Sequence, residues 1–117
     1  MKVTRIADHP QNDVNLEGAK NVRMRMLIGP DENAPTFHMR HFEIQPGGNT
    51  PHHAHDFEHE VLILKGRGHV KSPAGDKPFE PGMVVWVPAN EQHAFCNTGR
   101  EPVEMICLIP APKCCAL

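Results

Sequence analysis

Proline and glycine limit the length of helices and strands in this chain. Its 117 residues include 12 prolines and 9 glycines, spread along the whole length. Proline breaks helices and glycine favours turns, so the segments between them leave little room for helices of ordinary length. The sequence therefore predicts an all-β fold built from short strands. The predicted strands are residues 22–28, 37–45, 57–65, 69–72, 83–88, 93–97 and 103–109.

Turn signals lie between these predicted strands. The Pro-Gly-Gly run at 46–48 and the pair Pro81-Gly82 place glycine where a turn needs a positive φ. Several short strands separated in this way are typical of a β-sandwich or a closed β-barrel. The length of the chain is that of one ordinary domain, so we expect a single hydrophobic core.

Composition and charge argue against several classes of protein. A formal net charge of −2 and a hydrophobic content of 39% are ordinary for a globular protein, and we expect no nucleic-acid partner. The apolar runs are far shorter than the roughly 20 residues that cross a bilayer, so we expect no membrane partner either. The charged N-terminus lacks the apolar stretch of a secretion signal, which predicts a cytoplasmic location.

The cysteines do not form a recognisable framework. Cys96, Cys107, Cys114 and Cys115 lack zinc-finger spacing, and the last two are neighbours. We expect reduced thiols. The last four residues have the outline of a prenylation box but no preceding basic cluster, so lipidation is not expected. The role of Cys114 and Cys115 stays open.

Residues 1–21 differ from the rest of the chain because they carry few apolar side chains. This composition predicts an edge strand with a loop. Such a segment often pairs with another subunit and covers an exposed sheet edge. We therefore predict that it packs on a partner and that the protein is a homodimer.

Alternation along the predicted strands sorts side chains between a barrel interior and an outer face. The side chains predicted to face inward are His38, Arg40, Phe42, Ile44, His59, Val61, Ile63, Val103, Met105, Cys107 and Ile109. Six apolar residues are predicted to line a pocket, with ordinary core packing as the alternative. They are Phe42, Ile44, Val61, Ile63, Phe95 and Met105.

Histidine is unusually frequent, at nine of 117 residues, and several histidines stand close together. His53, His55 and His59 share a parity, so an extended chain projects them to one side. Neutral imidazole is a common ligand for first-row divalent metals, and three imidazoles on one side can chelate an ion. A metal site is predicted, completed by a ligand from elsewhere. The opposite parity of Glu60 argues against a register in which it replaces His59, but that register stays open.

The spacing of these residues resembles the two conserved motifs of the cupin superfamily. The residues at first-motif spacing are Gly47, His53, His55, His59 and Gly66. Those at second-motif spacing are Gly82, Pro88, His93 and Asn97. The resemblance implies a double-stranded β-helix, or jelly-roll barrel, as a single domain over 1–117 with both motifs in a core at 46–110. It also implies that His93 is the fourth metal ligand.

Two residues depart from the usual motifs. His59 stands where the family usually has a glutamate ligand, and Asn90 stands where it usually has glycine. The first departure gives four neutral ligands and resembles a small subgroup of bacterial manganese cupins with four histidines. The resemblance implies a divalent metal with manganese as first choice. Iron, nickel, zinc and copper stay open, since affinity order alone favours copper at an all-nitrogen site.

The leading functional hypothesis is a metal-dependent oxidoreductase or oxygenase that acts on a small molecule. Four histidines leave two adjacent positions of an octahedral ion open, and few inward carboxylates are available as a general base. One alternative is a non-catalytic module that binds a small, sugar-like ligand or senses metal. Another is a metal-assisted isomerase or lyase, which needs an inward base.

Three inward residues are candidates for catalytic roles. Arg40 could hold an anionic substrate, or it could be a strand-end arginine that reaches solvent. Cys107 could be oxidised or bind the metal, or it could be a buried structural cysteine. His38 is a candidate acid or base at the pocket rim. The histidines predicted to be exposed are His9, His41, His52 and His69.

Overall fold

A computed structural model describes residues 1–111, and the fold is all-β as predicted. Cys114, Cys115 and the prenylation-like terminus lie outside the described residues. Short 3₁₀ helices span Ile6–Asp8 and Pro30–Glu32. The strands of the described chain are β1 Asn12–Asp13, β2 Lys20–Ile28, β3 Phe37–Asn49, β4 His59–Lys65, β5 Gly68–Lys71, β6 Lys77–Phe79, β7 Val84–Val87, β8 Ala94–Asn97 and β9 Val103–Pro110.

These strands form one curled antiparallel sheet. Its order is β6-β5-β8-β3-β9-β4-β7, and β2 also pairs with β3 while β1 pairs with β2. The long strand β3 pairs with β9 from Phe37 to Ile44 and with β8 at Asn49. It thereby joins the two halves of the curl, which is the half-barrel of a jelly roll.

Strand boundaries differ from the predicted ones where the backbone is irregular. The predicted turn at 46–48 lies inside β3, because a register shift opposite β2 absorbs the extra residues as a bulge. Gly47 has the positive φ expected there, +80°. Strand β6, a three-residue edge strand that contains Pro78, was not predicted. Proline is tolerated on such an edge because it has no amide hydrogen to donate to a ladder.

The predicted division into inner and outer faces is confirmed. In β9, buried and half-buried residues alternate from Val103 to Pro110, so its inward side chains pack in the core. The six residues predicted to line a pocket are all part of this core, with exposures of 0–4%. Their role around a ligand stays a prediction.

The prediction that His41 is exposed was wrong. His41 is only 2% exposed, although its side chain lies on the opposite face of β3 from Arg40 and Phe42. Its Nε2 lies 2.9 Å from the Glu104 carboxylate on β9. The N-terminal segment reaches the same side of the sheet, where Arg25, opposite His41 on β2, donates to the His9 carbonyl. Burial there comes from contacts distant in sequence.

Residues 1–21 contact their own chain. The Lys2 ammonium donates to the Leu27 carbonyl at 3.0 Å and to the Glu32 carboxylate at 2.8 Å. Packing of this segment on a partner subunit stays a prediction. In the described part of the chain, no helix has the length and apolar character to cross a membrane.

Candidate metal centre

Two loops that are far apart in sequence meet where the histidines stand. His53 and His93 form an antiparallel bridge, in which each backbone N–H donates to the other residue's carbonyl, at 3.1 and 2.9 Å. The Asn90 N–H also donates to the His55 carbonyl. Asn90 has a φ of +68°, a conformation that asparagine tolerates better than most residues. It therefore makes the turn for which the second motif usually has glycine.

Three histidines have their ligand atoms close enough to hold one ion. The ring nitrogens of His53, His55 and His93 that could act as ligands lie within 4.8 Å of one another. The Nε2 atoms of His53 and His55 are 3.1 Å apart. Two ligands about 2.1 Å from one ion and at right angles are separated by about 3 Å. The donor set thus fits a divalent metal.

His59, the first residue of β4, is not one of the three histidines grouped by their ligand atoms, but its ring lies beside those of His55 and His93. Its ring centroid is 4.9 Å from that of His93 and 5.3 Å from that of His55. Its Nδ1 is 3.4 Å from the Cys107 sulfur. Its Nε2 is buried and has no hydrogen-bond partner within residues 1–111. A buried polar atom of this kind is unfavourable unless something satisfies it, and a metal ion is one such partner.

Two further contacts orient the rings, and neither was named from the sequence. The Nδ1 of His93 donates to the Glu91 carbonyl at 3.0 Å, which leaves Nε2 as the atom with a lone pair. Phe57 stacks on His55 with centroids 4.8 Å apart and planes at 8°. Phe57 shares the parity of His55 and His59, a signal that could have found it. A backbone carbonyl such as that of Glu91 leaves no such signal.

Burial and mutual repulsion favour the neutral form of three of the four histidines. Burial, followed by repulsion from His53, His93 and Arg40, lowers the pKa of His55 to about 4. Burial, followed by repulsion from His93 and Arg40 and then from the other two histidines, lowers the pKa of His59 to about 3. The pKa of His93 is lowered by burial as well, against the contact with Glu91. Neutral imidazoles are the form that binds metal.

The candidate catalytic residues lie along the inner face of β3 and β9. Arg40 is 1% exposed and its guanidinium lies 4.9 Å from the Phe42 ring centroid, so it does not reach solvent as a strand-end arginine would. Its Nη2 donates to the Cys107 sulfur at 3.3 Å. His38 is 4% exposed, and its Nε2 lies 3.1 Å from the Ala34 carbonyl.

The alternative register with Glu60 as a ligand has no support in the geometry. The Glu60 side chain lines a groove on the outer face of the sheet together with Leu62, Trp86 and Leu108. His59 points the other way, towards the remaining histidines.

The curled antiparallel sheet and the two histidine-bearing motifs define the class of protein. The cupin domain family matches residues 40–109, and the chain belongs to this family. The matched region contains both motifs and the four histidines of the candidate metal centre.

Similar proteins include enzymes and a binding protein. A 1-methylthio-D-xylulose 5-phosphate methylsulfurylase from Rhodospirillum rubrum is 32% identical over 81 residues, 69% of this chain and 52% of that protein. Auxin-binding protein 1 from Arabidopsis thaliana is 25% identical over 119 residues, 94% of this chain and 59% of that protein. The chain thus spans little more than half the length of these curated relatives. The structure of the polyketide cyclase RemF from Streptomyces resistomycificus superposes with a TM-score of 0.88 at 29% identity, covering 94% of this chain and 79% of that one.

Proposed function

We propose that this protein binds one divalent metal ion through His53, His55, His59 and His93 and uses it to oxidise a small molecule. The observation that carries the proposal is the buried Nε2 of His59, which lacks a hydrogen-bond partner in the described chain, on a ring that lies beside those of His55 and His93. An ion at the centre of the four rings would satisfy this atom. Manganese is the preferred metal, on the resemblance to four-histidine cupins.

The charge of the site supports a redox role over acid–base chemistry. All four ligands are neutral, so a bound ion would keep its full charge and supply the redox chemistry. None of the buried side chains within residues 1–111 is an aspartate or glutamate. A carboxylate base is therefore missing from the described interior, while the buried guanidinium of Arg40 favours a substrate with an anionic oxygen group.

A second candidate function is a module that binds a small molecule without reacting with it. The likeness to auxin-binding protein 1, a protein named for binding, favours this candidate. A metal-assisted isomerase or lyase is a third, and it would use His38 as the acid or base. The Nε2 of His38 donates to the Ala34 carbonyl, which leaves the lone pair on Nδ1, a buried atom with no hydrogen-bond partner among the described residues. The catalytic roles of Arg40, Cys107 and His38 stay predictions.

Metal analysis tests the proposal directly. The protein is purified without added metal, and a second sample is reconstituted with Mn²⁺. Metal content and the electron paramagnetic resonance spectrum are measured for both samples. We expect about one ion per chain with a nitrogen-rich coordination sphere. Absence of bound metal after reconstitution would refute the site. Turnover of small-molecule libraries with dioxygen or peroxide, with and without metal, then separates oxidation from isomerisation and from binding alone.

The assembly we propose is a homodimer. Strand β7 lies at one end of the sheet order and exposes two large apolar residues, Val84 at 78% and Trp86 at 64%. An apolar edge strand of this kind is usually covered. Sedimentation that gives only a 13.1 kDa species would rule the dimer out. A cytoplasmic location stays a prediction from the N-terminal sequence.

A further inference from the structure

The sulfur of Cys107 contacts two nitrogen atoms on the inner face of the barrel. Arg40 Nη2 is 3.3 Å from the sulfur, and His59 Nδ1 is 3.4 Å from it. The guanidinium can only donate, so it takes one lone pair of the sulfur. The thiol hydrogen has an acceptor of its own, the Leu108 carbonyl oxygen, 4.0 Å from the sulfur.

These contacts restrict where the neutral His59 ring carries its hydrogen. A hydrogen on Nε2 would be buried without an acceptor within residues 1–111, which is costly. A hydrogen on Nδ1 has the Cys107 sulfur as its acceptor. The second arrangement leaves the lone pair on Nε2, beside the other histidines.

We propose that Cys107 is a positioning residue, whose sulfur accepts the Nδ1–H of His59 and so fixes the ring in the tautomer that presents the Nε2 lone pair to the metal site. This inference rests on the proposed metal-binding function. Arg40 also donates to the sulfur, which helps to hold it in place. Cys107 acts here through His59 and does not itself contact metal or substrate.

His93 provides an internal parallel. Its Nδ1 donates to the Glu91 carbonyl at 3.0 Å, which fixes the same tautomer with an oxygen acceptor. Outer partners of this kind commonly orient metal-binding histidines. The position behind His59 has a thiol where other sites use a carboxylate or a carbonyl. Burial raises the pKa of the Cys107 thiol, so the acceptor adds no charge beside the ligands.

The test reads the tautomer and the metal affinity separately. Cys107→Val removes the acceptor at similar volume, and Cys107→Ser keeps an acceptor. Val103→Ala is the control for lost core packing, because Val103 faces inward on the same strand but pairs with Ile44. Long-range ¹H–¹⁵N correlation spectra of the metal-free proteins report which ring nitrogen of His59 carries hydrogen. Competition with a chelator gives the Mn²⁺ affinity.

We expect the Nδ1–H form at His59 in the wild type, in Cys107→Ser and in Val103→Ala. Cys107→Val should shift His59 towards the Nε2–H form and weaken Mn²⁺ binding about 10- to 100-fold, the usual effect of losing an outer partner. Unchanged tautomer and affinity in Cys107→Val would overturn the inference, as would an Nε2–H ring in the wild type. If Cys107→Val does not fold, the spectra of the wild type and of Cys107→Ser still test the inference, because an Nε2–H ring at His59 in either protein would contradict it.

The same data separate this inference from the proposed function. A wild-type protein that binds no Mn²⁺ refutes the metal site, while the tautomer of His59 in the metal-free protein still tests the role of Cys107. A wild type that binds Mn²⁺, together with a Cys107→Val variant that binds it equally well, refutes the positioning role and leaves the metal site intact.

Discussion

Two histidines on the strands that flank β9 are equally withdrawn from solvent but have opposite surroundings. His41 on β3 is 2% exposed and His59 on β4 is 3% exposed. His41 Nε2 lies 2.9 Å from the Glu104 carboxylate, which also has the Lys65 ammonium at 3.5 Å. His59 has a thiol on one side and imidazoles on the other. Burial alone therefore does not tell a structural histidine from a ligand, whereas the chemistry of its partners does.

Substitution of each histidine should separate the two roles most strongly in metal binding. His59→Ala removes a direct ligand, and we expect Mn²⁺ affinity to fall by about 100-fold or more, since even outer partners contribute up to about that much. His41→Ala, which removes no ligand, should stay within about twofold of the wild type. Competition with a chelator measures both. Equal losses in the two variants would mean that His59 acts on the fold and is not a ligand.

The effect of His41→Ala should appear in the free energy of unfolding and not in metal affinity. Loss of His41 leaves the Glu104 carboxylate without its buried partner, so we expect the free energy of unfolding to fall by about 1–3 kcal/mol. A double-mutant cycle of His41→Ala with Glu104→Ala, followed by denaturant unfolding of the metal-free protein, measures the coupling. Strictly additive losses would show that the contact contributes nothing.

A smaller effect should appear in the titration of the metal-free protein. The pKa values of His55 and His59 are lowered to about 4 and about 3, so both rings should remain neutral at pH 5. The unfolded chain takes up these protons near pH 6.5, the ordinary value for histidine. The folded state binds fewer protons in this window, so the free energy of unfolding should decrease as pH falls from about 7 towards 4. NMR titration of the two rings checks this, and midpoints near 6.5 would contradict it.

The sequence predicted which side chains face the barrel interior, but it did not predict the contacts that orient the histidine rings. Parity along β3 and β9 assigned Arg40 and Cys107 to the interior, because alternation is a local property of a strand. The contact between His59 and Cys107 joins residues 48 positions apart, and that between His41 and Glu104 joins residues 63 positions apart. Local patterns do not encode such distances, which is why His41 was predicted wrongly.

The shared parity of His53, His55 and His59 predicted a common direction for a reason that the structure only partly supports. Parity projects the three side chains to one side only if the chain is extended from His53 to His59, but β4 begins at His59 and the chain before it is a loop. The hydrogen bonds to His93 and Asn90 hold that loop in place. Motif spacing captured this long-range arrangement, whereas periodicity could not.

The bridge between His53 and His93 also bears on the order in which the molecule assembles. The two residues stand 40 positions apart, and their backbones must meet before all four imidazoles can face one another. Closing that loop costs conformational entropy, and this cost arises before the four histidines are arranged to bind an ion. An ion that recognises only the completed arrangement would stabilise the native state and not the transition state. Mn²⁺ should then slow unfolding and leave the folding rate almost unchanged. The metal would prolong the lifetime of the folded state without taking part in the folding nucleus.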